Sequence, residues 1–392
     1  MNIPYGKQNV NKSDIDAVVE VLQSDYLTQG PVVPRFEASV SAYTGAKFAV
    51  AVNSATSALH LACLALEVGP GDVVWTSPIT FVASANCAVY CGAKVDFVDI
   101  DPLTYNISIP VLMEKLERSQ VSNTLPKVVI VVHLAGQSCD MKRINSLSLK
   151  YGFKIIEDAS HALGARYLDG HVGNCKYSDI TVFSFHPVKM ITTGEGGMAV
   201  SNNSKLNAIM QRLRSHGITR DHLEMKNISD GPWYYEQIDL GFNYRMTDIQ
   251  AALGISQLKR LDSFVAKRNK IASNYNKLFE DVEIKTPWNN DNDSYSSYHL
   301  YIIRIPKKSK IFNRSQIFET FRSNGIGVNL HYIPIYRQPY YQKFNYNYED
   351  YPEAENYYAE AISIPMYTTL TEEQQESISK ILTLPIGHQS LF

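Results

Sequence analysis

Five β-branched residues stand in succession at Val128-Val129-Ile130-Val131-Val132, with His133 closing the run. Side chains of this kind favour extended backbone, and a strand without a polar face must be covered on both sides. That situation belongs to parallel sheets with helices packed above and below. Phe48–Val52, Val73–Thr76, Lys94–Asp101, Lys154–Asp158 and Met198–Ser201 read as further short strands. The Ala/Leu-rich run to Leu66 and the stretch ending at Leu213 read as helices between or after them. Strand and helix in alternation give an α/β class.

The 392 residues, 45% hydrophobic and 19% charged, suffice for a large core and exceed one compact unit of ordinary size. One large domain, 1–252 with an N-terminal arm, and a smaller C-terminal α/β domain, 253–392, are expected. A formal charge of -2 without a long basic run speaks against a nucleic-acid partner, which needs clustered Lys and Arg. Cys63, Cys87, Cys91, Cys139 and Cys175 are odd in number, lack Cys-x2-Cys spacing and lie mostly in apolar segments. They read as reduced thiols, with no metal site. No leader-like pattern or membrane-length apolar span occurs, so a cytoplasmic protein without a membrane partner is expected.

Polar signals punctuate the apolar runs. Ser13-Asp14-Ile15-Asp16 has the form of a capping box, and Ile15, Val18, Val19 and Leu22 follow at helical spacing, which predicts an amphipathic first helix. Asn53-Ser54-Ala55-Thr56-Ser57 follows a strand and opens a helix. Free N–H groups and the positive dipole end make such a start an anion site, with Thr56 and Ser57 adding hydroxyls. Asp158 ends a buried strand, where ligands of doubly wound sheets collect, and Glu157 should face the other way. Lys189 lies between the β-like run Val182-Phe183-Ser184-Phe185 and the turn Gly194-Glu195-Gly196-Gly197. A lysine held beside an electrophilic aldehyde with its ammonium partly desolvated forms a Schiff base, and glycines let backbone approach a flat cofactor. Ser184 is placed to donate to a phosphate.

The segment from Val182 to Gly197, with Asn53 to Leu59, Ser160-His161-Ala162-Leu163-Gly164 and Arg214-Ser215-His216-Gly217, resembles the DegT/DnrJ-type pyridoxal-phosphate-dependent nucleotide-sugar aminotransferases. The likeness runs from the first thirty residues to the tyrosine-rich tail. A related dehydratase branch has histidine in place of the lysine; here Lys189 is present. The resemblance implies the fold type I architecture, a large domain with a mostly parallel seven-stranded sheet and a smaller C-terminal domain. It implies pyridoxal 5'-phosphate as cofactor, with Lys189 as the Schiff-base and proton-transfer residue and Asp158 at the pyridine nitrogen. Phe81 would lie on the ring face, His161 near the ring oxygen, and Thr56, Ser57 and Ser184 on the phosphate. Asn243 or Arg245, just ahead of the capping box Thr247-Asp248-Ile249-Gln250, would reach a partner's cofactor phosphate, hence a homodimer with shared active sites. Tyr5, Gln29, His331 and Tyr336 are the implied substrate contacts.

Within the family the sequence is most similar to the branch that aminates C4 in pseudaminic acid biosynthesis. That implies UDP-2-acetamido-2,6-dideoxy-β-L-arabino-hex-4-ulose as acceptor and L-glutamate as amino donor. A GDP- or dTDP-linked keto sugar is an alternative substrate. A cofactor-binding regulatory protein without turnover is another alternative, against which the joint presence of Lys189 and Asp158 argues. Downstream, one long helix should run past Asp262 toward Phe279. A polar loop at 288–293, strands at Tyr298–Ile305 and Ile326–His331, and a helix at Ser315–Ser323 complete the expected small domain.

Overall fold

The computed structural model describes residues 2–288, 293–309 and 313–383; residues 289–292 of the expected polar loop lie outside them. Strands β1 (Phe48–Val52), β2 (Val73–Thr76), β3 (Lys94–Phe97), β4 (Val128–Val132), β5 (Lys154–Asp158), β6 (Ile180–Ser184) and β7 (Gly197–Ser201) form one sheet. Their order is β1-β7-β6-β5-β4-β2-β3. The pairings from β6 across β5, β4 and β2 to β3 are parallel, and β7 runs antiparallel to both its neighbours. This is the mostly parallel, seven-stranded sheet that the resemblance implies.

Every residue of β4 is buried, because each face of the sheet is covered. Val74, Val128, Ile130, Ile156 and Val182 pack with helices Ala55–Ala65, Ala83–Tyr90 and Ser204–Arg214. Trp75, Val129, Val131 and Ile155 pack with helices Ile109–Val121 and Met141–Tyr151. Successive residues serve opposite cores, and each fully buried Val or Ile contributes about 1.5–3 kcal/mol.

The first helix, Lys12–Leu22, corrects the sequence reading twice. Its capping box is formed by Asn11 and Asp14, not by Ser13 and Asp16. Its inward side carries a charge beside the apolar Val21: Asp14 is buried and accepts hydrogen bonds from Ser256 Oγ (2.6 Å), Gln257 Nε2 (2.7 Å) and the Arg260 guanidinium. Of the residues read at helical spacing, Ile15, Val19 and Leu22 are exposed and Val18 is half-buried.

The expected long helix is two, Asp248–Leu258 and Leu261–Leu278. The division at 252/253 would fall inside the first, which packs on helices Lys12–Leu22 and Val32–Thr44. A separate core gathers Ile271, Tyr275, Tyr301, Ile303, Phe321 and Ile362 around the antiparallel strands Tyr301–Arg304 and Ala361–Ile364. Ile326–His331 is not a strand. It makes two isolated bridges instead: Gly327 N–H donates to the Ile3 carbonyl (2.7 Å) and Ile3 N–H to the Gly325 carbonyl (2.9 Å), while Asn329 exchanges backbone bonds with Ser363 of strand Ala361–Ile364.

Gly197, the first residue of β7, shows how the sheet meets the next layer. A Cβ there would lie 2.4 Å from both Ala55 N and Ser54 C at the start of helix Ala55–Ala65. Backbone cannot yield as a side chain does. Gly197→Ala is expected to cost roughly 1–3 kcal/mol, read as a lower denaturant midpoint at unchanged slope; an unchanged midpoint would mean the contact relaxes freely.

Candidate active site

A cavity of about 880 Å³ opens at the carboxyl ends of the parallel strands and is lined by Thr56, Phe81, Asp158, His161, Ser184 and Lys189 among others. Its size suits a cofactor together with a substrate. Asp158 reaches it because alternation at the end of β5 sends Glu157 the other way. Glu157 is buried against His133 Nε2 (2.7 Å), with Thr181 Oγ1 (2.8 Å) and Ser178 Oγ donating to it. Asp158 Oδ2 accepts from Ser84 Oγ (2.6 Å), and Oδ1 accepts from Ser160 N (3.1 Å) and Ser160 Oγ (2.6 Å). Its carboxylate is thereby fixed in orientation while still facing the cavity.

Helix Ala55–Ala65 points its first turn at the same space. Ser54 caps it by accepting from Ser57 N (3.1 Å), and Ser57 Oγ donates to Asn53 Oδ1 (2.6 Å). The initial N–H groups of a helix have no partner within it, and here they meet the cavity at Ala55 and Thr56. This is an anion cradle. Phe81 presents an exposed ring whose centroid is 6.0 Å from that of Tyr332. His161 Nδ1 accepts from Ala135 N (3.2 Å), which leaves Nε2 to carry the proton, 3.1 Å from the Tyr332 hydroxyl.

Lys189 follows β6 in a turn closed by its own N–H to the His186 carbonyl (2.9 Å). Burial lowers its pKa from the usual value to about 8, with Asp158 acting in the opposite direction. An amine near its pKa at working pH can hold or release a proton and can attack a carbonyl.

Tyr5 and His331 line the cavity, their rings 5.8 Å apart. The other two implied substrate contacts do not. Tyr336 is fully buried in the large core, stacked on Tyr351 at 4.8 Å with its hydroxyl on Glu355 (2.8 Å). The tyrosine-rich stretch packs there because Phe97 at the sheet edge offers a ring to Tyr336, Tyr341, Tyr346 and Tyr351. Gln29 is exposed, at φ 56°, in a loop outside this cavity. Asn243 and Arg245 also lie outside the lining of their own chain's cavity; their backbones bridge Ser215 and Val52. Sequence reasoning missed Ser54, Ser160, His299, Asn329 and Tyr332, all on the wall. Ser54 was legible as a helix cap. His299 had no local signal, since it stands inside an expected strand.

The low pKa of Lys189 gives a direct test in cofactor-free protein. Amine acylation followed by peptide mapping should show half-maximal labelling of Lys189 at about pH 8, while exposed lysines follow the ordinary range near 10.4. Asp158→Asn removes the charge that raises the pKa, so the midpoint should move lower. A midpoint at the exposed-lysine value would contradict the burial.

Residues 8–383 match the model of the DegT/DnrJ/EryC1/StrS aminotransferase family. The spore coat polysaccharide biosynthesis protein SpsC of Bacillus subtilis is 39% identical over 96% of this chain and 95% of its own. The UDP-4-amino-4,6-dideoxy-N-acetyl-beta-L-altrosamine transaminase of Campylobacter jejuni is 40% identical over 97% of this chain and 96% of its own. The structure of Helicobacter pylori PseC, an aminotransferase involved in the biosynthesis of pseudoaminic acid, superposes with a TM-score of 0.87 at 33% identity, covering 98% of both chains. With a lysine, a strand-end carboxylate and an anion cradle sharing one cavity, the chain belongs to the DegT/DnrJ/EryC1/StrS family and is a pyridoxal-phosphate-dependent sugar aminotransferase.

Proposed function

We propose that this chain aminates C4 of UDP-2-acetamido-2,6-dideoxy-β-L-arabino-hex-4-ulose with L-glutamate as amino donor, in pseudaminic acid biosynthesis. The observation that carries the reaction type is the convergence of Lys189 and Asp158 on one cavity beneath a helix start. The Campylobacter relative, a UDP-4-amino-4,6-dideoxy-N-acetyl-beta-L-altrosamine transaminase, supports the sugar and the nucleotide. No helix among the described residues is long and apolar enough to cross a membrane, and the five free cysteines suit a reducing compartment, so we assign it to the cytoplasm.

The residues fit pyridoxal phosphate. The helix start at Ala55 and Thr56, approached closely by Gly197, would hold the phosphate with Ser57 and Ser184 nearby. Asp158, held by Ser84 and Ser160, offers a carboxylate for a ring N–H, and Phe81 and His161 would meet the ring's face and oxygen. When bound, the cofactor supplies an electrophilic carbonyl and a ring that accepts electrons as a C–H proton leaves. Lys189 Nζ takes up and returns that proton, and its pKa of about 8 leaves both forms populated near neutrality. Overall, glutamate leaves as 2-oxoglutarate and the sugar ketone becomes an amine. Asp158→Asn, which keeps shape and removes charge, should lower turnover by at least about a hundredfold; near-normal turnover would contradict the role.

We further propose a homodimer in which Asn243 and Arg245 serve the partner's site. Among the described residues the cavity is lined by one lysine and no arginine, although cofactor and nucleotide sugar both bring phosphate. The exposed Ile15, Val19, Leu22, Tyr26 and Leu27 supply apolar surface for association. Mixing inactive Lys189→Ala with an inactive Asn243/Arg245 double variant should restore activity, because one site of the heterodimer is then complete. No recovery in demonstrated heterodimers would place the loop on its own chain.

The substrate is tested by comparing kcat/KM for UDP-, GDP- and dTDP-linked 4-keto-6-deoxy sugars. The UDP N-acetyl sugar should lead by at least about tenfold, since buried polar atoms built for one group are left unpaired by another. Equal values would favour the alternative nucleotides, and a holoprotein that glutamate cannot bleach would be the non-catalytic form.

A further inference from the structure

Tyr298 is a buried aromatic residue at φ 47°, in the left-handed region that side chains rarely occupy. Several bonds hold it there. Ser297 N donates to the Gly136 carbonyl (3.2 Å), Leu300 N to the Ala135 carbonyl (3.3 Å), and Ser297 Oγ to the His161 carbonyl (2.7 Å). Gly136 permits the approach, because a Cβ there would fall 2.2 Å from Ser297 Oγ. From behind, the buried Arg268 donates through Nη1 to the carbonyls of Tyr298 (3.1 Å), His299 (3.1 Å) and Met366 (3.0 Å). Strain maintained by this many contacts marks a position whose geometry matters.

What the turn positions is His299. Its ring centroid is 4.5 Å from that of His161, and it lines the same cavity as Lys189. His299 Nδ1 is buried without a hydrogen-bond partner. A proton there would bury an unmet donor, so the proton belongs on Nε2. His161 Nε2 already faces the Tyr332 hydroxyl, and His331 Nδ1 meets Ser363 Oγ at 2.8 Å. The His299 side chain makes no hydrogen bond with a described residue. Burial, then His161, Lys189, Arg268 and His331, push its pKa well below the usual value, so the ring stays neutral. The positive field of Lys189 and Arg268 that disfavours a charged imidazole favours an anion beside it.

An α-amino acid carries its carboxylate one carbon from the nitrogen that must reach the neighbourhood of Lys189. We infer that the His299 Nε2–H receives the α-carboxylate of the amino donor, making His299 a donor-specificity residue of the cavity. This rests on the amino-acid donor proposed above.

The test uses holoenzyme and 2-methyl-L-glutamate, which has no α-hydrogen to lose and therefore reports binding without turnover through the visible absorption. His299→Leu should raise its Kd by at least about tenfold, as expected when a charge-assisted hydrogen bond is lost. His299→Gln, which keeps an N–H donor, should stay within about threefold of wild type. Binding of 4-aminobutanoate, which lacks the α-carboxylate, and the KM for the keto sugar should be unchanged in both variants. If His299→Leu does not retain cofactor, His299→Asn, whose amide is too short to reach, carries the same expectation. An unchanged Kd for 2-methyl-L-glutamate, or an equal loss for 4-aminobutanoate, would overturn the inference while leaving the transaminase reading intact. A wild-type holoenzyme unresponsive to glutamate and its 2-methyl analogue would remove the donor reading and this inference together.

Discussion

Glu157 and Asp158 are consecutive buried carboxylates at the end of one central strand, and their opposite facings organise the site. Glu157 pairs in register with Val131 and Thr181 on the two neighbouring strands. Its partners His133, Ser178 and Thr181 all lie on the far side from the cavity. A carboxylate buried without partners costs several kcal/mol, and a slip of one residue would exchange the two environments. Satisfying Glu157 therefore fixes where Asp158 points, and with it the end of the cavity against which the Lys189 turn and the first turn of helix Ala55–Ala65 are arranged.

The parts of this architecture that were legible in the sequence are those where an apolar run ends on a polar residue. Val128–Val132 and the strand before Lys189 announce burial by composition, Ile155-Ile156 does so more briefly, and of the polar residues at these strand ends Asp158 and Ser184 line the cavity whereas His133 turns to Glu157. The illegible parts depend on partners distant in the chain. Tyr332 and Tyr336 stand in one tyrosine-rich stretch, yet Tyr332 lines the cavity and Tyr336 is sealed in the core, because Phe97 draws the latter inward. Likewise Ile326–His331 has the look of a strand, but Ile3 takes its first backbone bonds.

Buried polar contacts, as much as apolar ones, set the layout of the first helices. Asp248 accepts from the N–H groups of Gly30 (2.6 Å), Val32 (2.9 Å) and Val33 (2.8 Å), so a carboxylate opening one helix satisfies the start of another. Asp14 of the first helix binds side chains at the far end of helix Asp248–Leu258 and just beyond it, accepting from Gln257 Nε2 and the Arg260 guanidinium. Hydrophobic periodicity could not foresee this: it reads Ile15, Val18, Val19 and Leu22 as the apolar side of an amphipathic helix, yet Ile15, Val19 and Leu22 are exposed while Asp14 and Val21 are the buried residues.

The electrostatics of the cavity follow from the same economy of charge. His161, His299 and His331 surround the Lys189 amine, and burial together with that amine lowers the pKa of each. Were any of them cationic, it would repel the ammonium and disfavour proton uptake at Nζ. Kept neutral, they contribute N–H donors and lone pairs without competing for charge, and Asp158 is left as the group that raises the lysine's pKa against burial. The balance places the amine near pH 8, between a surface lysine that would stay protonated and a fully desolvated one that would stay neutral, which suits the proton transfer proposed for it.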